Sequence, residues 1–304
     1  MRNMNRRASQ HGFTIVELLI VVVVIAILAA IIIVAYNGIQ NRAKSSALQS
    51  ATSQAGKKVA EYFTLNTDTY PASLGVMGIN DTATTQYNYL SVANATNRGY
   101  CVSGQTPSAP STSVAFSSVT GNTTSGSCIT NRVTNPSVEE GTTGVGLAVN
   151  SAVGTRSAAA ALVGDYGISV TTSSASDSGM FFPISGTFTA GNTYSASFKF
   201  KAITAATYSL SIQGTASSSG RDIRTLAAGE EATFRHTWTP TATGGITFYA
   251  LRQGGQSGTS TFYVDGAILV DGSTPYTYDS TGMGAWLWTG SAGVSTSIGP
   301  ALPL

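Results

Sequence analysis

Few side chains in this 304-residue chain are of a kind that does chemistry, and they are scattered. There are two histidines, His11 and His236, and two cysteines, Cys101 and Cys128, with no Cys-x-x-Cys pair. A zinc site needs several such ligands at close spacing, so none is expected. The sequence has no Gly-x-Ser-x-Gly turn and no phosphate-cradling glycine loop, and no carboxylate pair is marked as a glycosidase would require. A non-enzymatic role is expected. What stands out is one carboxylate, Glu17, placed inside a long apolar run. An ionised group is costly there unless a positive partner meets it, so pairing is the chemistry Glu17 can do.

The element around Glu17 is a membrane-length segment. Leu18 to Ala35 holds no charged or polar residue, close to the ~20 residues that cross a bilayer. The polar start with Arg2, Arg6 and Arg7 predicts a cytoplasmic N-terminus and everything after Ala35 outside. An uncleaved signal anchor or an ordinary membrane helix would share these features, but neither has a use for Glu17. The pattern Gly12-Phe13-Thr14-Ile15-Val16-Glu17 before the apolar run resembles the class III leader of type IV pilins and secretion pseudopilins. The resemblance implies cleavage after Gly12 by a prepilin peptidase and N-methylation of Phe13. It also implies that Glu17 pairs with the terminal ammonium of a neighbouring subunit, fixing register rather than adding bulk stability.

A helix is predicted from Phe13 to about Phe63, with 13–36 in the membrane or filament core. Many pilins carry a proline where this chain has Val34, so nothing obvious kinks the helix there, and Asn37-Gly38 is the next weak point. Ile39, Ala43, Ala47, Ala51, Ala55 and Val59 recur every fourth residue, a stripe that docks on the chain's own body or on neighbouring subunits. Tyr70-Pro71 ends the pattern. Short strand-like runs at Gln86–Leu90, Tyr100–Ser103 and Ser113–Val119 suggest a small antiparallel sheet packed on the helix. In an exported chain Cys101 and Cys128 read as one disulfide, resembling the bridge that pins the C-terminal loop of pilin domains. Closing that loop contributes about 3 kcal/mol in the chain-entropy account. Sequons at Asn80, Asn94 and Asn122 read as surface loops.

Beyond about Arg132 the chain is rich in Ser, Thr and Gly, with regular aromatics. Apolar alternation in Tyr194-Ala196-Phe198-Phe200, Tyr208-Leu210-Ile212, Phe234-His236-Trp238 and Ile246-Phe248-Ala250 predicts strands of a two-sheet sandwich. The segments Thr130–Glu139 and Thr261–Ala267 resemble the first and last strands of jelly rolls of the carbohydrate-binding-module type. In that family these strands often share a structural calcium, which makes Glu139 and Asp265 its carboxylates; two ordinary surface carboxylates are the alternative. Relatives hold sugars on exposed aromatics, which makes Tyr276, Tyr278, Trp286 and Trp288 the glycan-binding candidates, against a plug over the end of the sandwich. Trp238 and His236 read as core and rim.

The expected fold is thus an α+β pilin domain followed by an all-β jelly-roll sandwich. The divisions are a leader at 1–12, a helix at 13–63, a β-region with the disulfide at 64–131, and the jelly roll at 132–304. A net charge of +2 gives no field for nucleic acid. The expected function is a structural and adhesive pilus subunit, minor or tip-displayed, with a lectin-like head outside the cell. Its partners would be other pilin subunits, the prepilin peptidase, the inner membrane before assembly and surface glycans. A pseudopilin of a secretion or DNA-uptake machine and a non-polymerising membrane-anchored glycan-binding protein are the rivals. No cofactor is required on this reading; the structural calcium named above is an option, not a requirement.

Overall fold

A computed structural model of the protein describes residues 15–304 except 96, 108, 218, 219, 257, 279–281 and 294. The chain divides into two compact units that meet between Ala47 and Leu48. In the first, every described side chain is exposed, and the apolar part of α1 (Ile15–Leu65) is long and apolar enough to cross a membrane. Helix α1 continues through Asn37 and Gly38 without a break.

In the second unit α1 docks through Leu48, Thr52, Ala55, Gly56 and Val59. Ala43 and Ala47 of the predicted stripe are exposed instead. Steps of four residues overshoot the 3.6-residue turn, so a strict every-fourth stripe winds off any fixed face. The helix lies on an antiparallel sheet of β1 (Gln86–Ala93), β2 (Arg98–Thr106), β3 (Ala109–Ser117) and β4 (Thr123–Ser125), in that order. Gly56 lets the ring of Phe116 lie against the helix, where an added Cβ would come within 2.3 Å of it. Beside it the Tyr100 hydroxyl donates to the Gly56 carbonyl at 2.8 Å, and burial pushes that phenol up to about 12. Strand β5 (Ser127–Asn131) follows, and Cys128 on it is bonded to Cys101 on β2, as expected.

The next ten strands are β6 (Gly146–Val149), β7 (Val153–Ser157), β8 (Gly167–Thr171), β9 (Ser178–Phe182), β10 (Tyr194–Ala202), β11 (Ala206–Gly214), β12 (Arg221–Leu226), β13 (Glu231–Trp238), β14 (Ile246–Arg252) and β15 (Thr261–Asp271). They form two five-stranded antiparallel sheets, in the orders β13-β10-β15-β8-β7 and β12-β11-β14-β9-β6. The chain passes repeatedly from one sheet to the other, a jelly roll. All four predicted alternations send their apolar residues inward, where Phe182, Phe198, Phe200, Phe234, Phe248 and Phe262 fill the core. His236 stacks on Trp238, and burial lowers its pKa.

Two expectations about the ends of the roll change. The segment 130–139 is strand only to Asn131, after which Val133 makes a single bridge to Ile184. And β15 is followed by β16 (Tyr276–Thr277), β17 (Leu287–Trp288) and β18 (Ser297–Pro303). Strand β18 runs antiparallel to β5, with Gly299 opposite Ile129 and Pro300 opposite Cys128. A second core joins the two regions: Ile129 and Ala301 meet Val163, Ile268, Val270, Tyr278 and Trp286 on the side of β15 facing away from the sandwich interior. Buried Asn131 ties this core together, donating to the Ala267 carbonyl and to the Tyr278 hydroxyl while accepting from Leu269.

Candidate functional site

Gly12 and Phe13, the expected cleavage and methylation positions, lie outside the described residues. Glu17 sits in the first turn of α1, where the helix dipole favours a carboxylate.

Glu139 and Asp265 do come together in one corner. Asp265 is buried, and its carboxylate accepts N–H bonds from Leu162, Val163 and Gly266 at 2.6–2.9 Å. Glu139 accepts from the backbone of Asp165 and Tyr166. Burial raises the pKa of both acids, and each feels the other's or a neighbour's negative charge. The nearby cation is Arg156, which donates to the Val138 carbonyl at 2.6 Å and the Glu139 carbonyl at 2.7 Å, over the ring of Tyr166. Val138 holds φ at 52°, a conformation costly for a β-branched residue, and is buried beneath this bond. Calcium needs six to eight oxygens turned toward it. Here the carboxylates are turned to N–H donors and the two carbonyls to a guanidinium, and no group of three metal-ligating side chains occurs among the described residues. The corner as folded does not fit a calcium shell.

The aromatic candidates separate into two pairs. Tyr278 and Trp286 are 1% and 6% exposed, with ring centroids 4.8 Å apart, and both belong to the second core. Trp286 lies across Gly299, where a Cβ would come within 2.5 Å of the indole. Neither ring offers a face to a sugar, which corrects that expectation: they are the plug. Tyr276 and Trp288 are half-buried and keep some open surface.

A different surface has the chemistry expected of the aromatics. On the β9-β14-β11-β12 sheet Met180, Phe182, Phe248, Ala250 and Leu210 point into the core, so Phe181, Tyr249 and Ser211 point away from it. Phe181 and Tyr249 are direct cross-strand partners, half-buried, with centroids 5.9 Å apart in a T-shaped pair. The Phe181 ring lies over Gly146 of β6, where a Cβ would come within 1.9 Å. Polar groups flank the pair. Gln213 donates to Ser211, and Gln253 donates to Ser209. Arg221 on β12 reaches Asp177, at the head of β9, at 3.2 Å, with β11 and β14 between those strands. Aromatic faces bordered by amides, hydroxyls and an ion pair suit the apolar faces and hydroxyls of a sugar chain. The sequence held a signal for this face: Phe181 and Tyr249 stand at outward positions of strands whose inward positions were already apolar.

Comparison with known proteins finds the prokaryotic N-terminal methylation motif at residues 7–33. The chain carries a prepilin-type leader. No curated protein matches. Among solved structures the chain is similar to the C-terminal family 22 carbohydrate-binding module of Clostridium thermocellum Xyn10B, at 19% identity and a TM-score of 0.38, over 45% of this chain and 90% of that one. It is similar also to a xylan-binding domain of the same family, at 20% identity and 0.38, over 45% and 92% of the two chains. A third is the second family 22 xylan-binding domain of Paenibacillus barcinonensis Xyn10C, at 15% identity and 0.36, over 45% and 98%.

Proposed function

We propose that this protein is a structural subunit of a type IV pilus, minor or displayed at the tip, whose head from about Arg132 onward binds extracellular glycans. The observation that carries the reading is a prepilin-type methylation motif on a chain whose jelly roll carries a half-buried Phe181–Tyr249 pair on its outer face. The leader supports passage through the cytoplasmic membrane with the basic N-terminus inside, peptidase cleavage after Gly12 and assembly with other subunits. The head is calcium-independent on this reading, since Arg156 and backbone N–H groups occupy the corner where calcium was expected.

Two experiments test the two halves. In Glu17→Ala, filament incorporation falls while membrane insertion persists; unchanged incorporation removes the pairing role. For the head, the full chain in detergent micelles is screened against a glycan array and insoluble polysaccharides. Tyr249→Ala and Phe181→Ala should each weaken retention about tenfold, the loss of one stacking face. If no glycan is retained, the head is a spacer or a protein-contact module.

A further inference from the structure

A second polar cleft lies where the β1–β2 sheet, β5 and the β15–β16 turn converge, with a volume of about 410 Å³. Small-molecule sites span about 300–1,000 Å³. Its floor is one face of the β1–β2 pair. Gln86 and Asn88 alternate along β1, Gln105 stands opposite Gln86 and Ser103 opposite Asn88, and the disulfide closes the far end. Tyr276 gives an aromatic wall, half-buried, with its hydroxyl pKa raised by burial and its hydroxyl bonded to Ser127.

The carboxamides are held by one end only. Gln105 donates to the Gln86 oxygen at 3.3 Å, and Asn88 donates to the Cys128 carbonyl at 2.8 Å. The other ends, the Gln86 amide NH2 and the Gln105 and Asn88 amide oxygens, make no hydrogen bond among the described residues. The result is a solvent-facing row of donors and acceptors, with Gln86 and Asn88 exposed, which matches hydroxyls because each hydroxyl both donates and accepts. Charge narrows the ligand further. No lysine, arginine or histidine lines the cleft among the described residues, and Asp271 at its rim is neutralised by Arg132 at 2.7 and 3.0 Å.

We propose that this cleft is a second saccharide site, taking a neutral mono- or disaccharide by hydrogen bonds to Gln86, Asn88 and Gln105 and by stacking on Tyr276. It rests on the glycan-binding reading of the head but uses none of the residues of the Phe181–Tyr249 face. A glycan seated there touches the β1–β2 sheet and the jelly roll at once, so it reads their junction rather than the head alone.

The test is calorimetric titration of the full chain in detergent with neutral hexoses, N-acetylhexosamines and their disaccharides, followed by the same titration of variants. At least one saccharide should bind saturably. Gln105→Ala and Gln86→Ala should each weaken it about three- to tenfold, as loss of one neutral hydrogen bond does. Gln105→Trp, which fills the cleft, should abolish binding with the circular dichroism spectrum unchanged, and Tyr249→Ala should leave it intact. Should Gln105→Trp misfold, the two alanine variants decide the matter. The proposal is overturned if no neutral saccharide binds, if a uronic acid binds in preference to its neutral parent, or if the glutamine variants bind as the parent does. Small-saccharide binding lost only in Tyr249→Ala also overturns it, and leaves the glycan-binding head standing.

Discussion

Asp265 is buried beside Glu139, and both features push it toward its neutral form well above the ordinary aspartate value of 3.8. The sign of the resulting pH dependence is fixed. A folded acid with a raised pKa takes up its proton before the unfolded chain does, so its contribution to stability grows as pH falls from neutral toward 3.8 and is lost as pH rises. A calcium-held carboxylate would behave in the opposite way. Mild acidification should therefore not lower the melting temperature of the head through this corner, and a chelator should leave it unchanged. A melting point that drops with chelator would restore the metal. That Glu139 and Asp265 meet was legible in sequence, because strand resemblance alone placed them together. That Arg156 would supply the cation was not, since its reach depends on how the 138–139 turn folds and Val138 gives no sign of a left-handed backbone. Glu17 was the easiest residue to read, because a charge inside an apolar run is too costly to sit there without a partner.

Among the elements, α1 was predicted to within two residues at its C-terminal end, but its docked face was not. Small residues of similar size line several sides of the helix, and only the Phe116 ring decides which glycine it rests on. Alanine at position 56 is favoured over glycine by about 1 kcal/mol of helix propensity. Its methyl would meet the Phe116 ring, and overpacking of that kind costs about 1–3 kcal/mol. Gly56→Ala should thus destabilise the body in thermal melts despite its better propensity. A stabilised variant would mean that the ring can swing aside. Four sandwich strands, β10, β11, β13 and β14, were plain from period-two alternation and β15 from resemblance, whereas β6 to β9, β12, β16, β17 and β18 were hidden. The last three are short or rich in Gly and Pro, and β18 is held by pairing with β5 rather than by any pattern of its own.

At the scale of the molecule, the sequence divided the chain into a body and a head but held no hint of how firmly they would be joined. The join includes β5–β18 pairing, the core around Trp286 and Tyr278, and hydrogen bonds from Asn94, Asn97 and Ser117 to the Thr289, Gly290 and Ala285 carbonyls. Two aromatics that looked like sugar-binding residues serve this join, because a ring beyond the last recognisable strand reads the same whether it is covered or open. Trp286→Ala removes the largest side chain of that core, a change that costs about 3–5 kcal/mol in a packed interior. The expected result is a new protease-sensitive site between body and head, while the jelly-roll core, which does not include Trp286, keeps its melting temperature. Loss of both together would mean that head and body unfold as one cooperative unit.

The pairing of β5 with β18 also sets a timetable. All the jelly-roll strands lie between these two in the chain, so β5 is synthesised well before its partner. Until then it lacks its partner strand and is held to the body by the disulfide at Cys128 and by bonds to Asn88 and Ser103, and contacts so distant in sequence form late. Closing the body thus waits on the last residues of the head: a chain cut short before β18 would leave β5 without its partner strand.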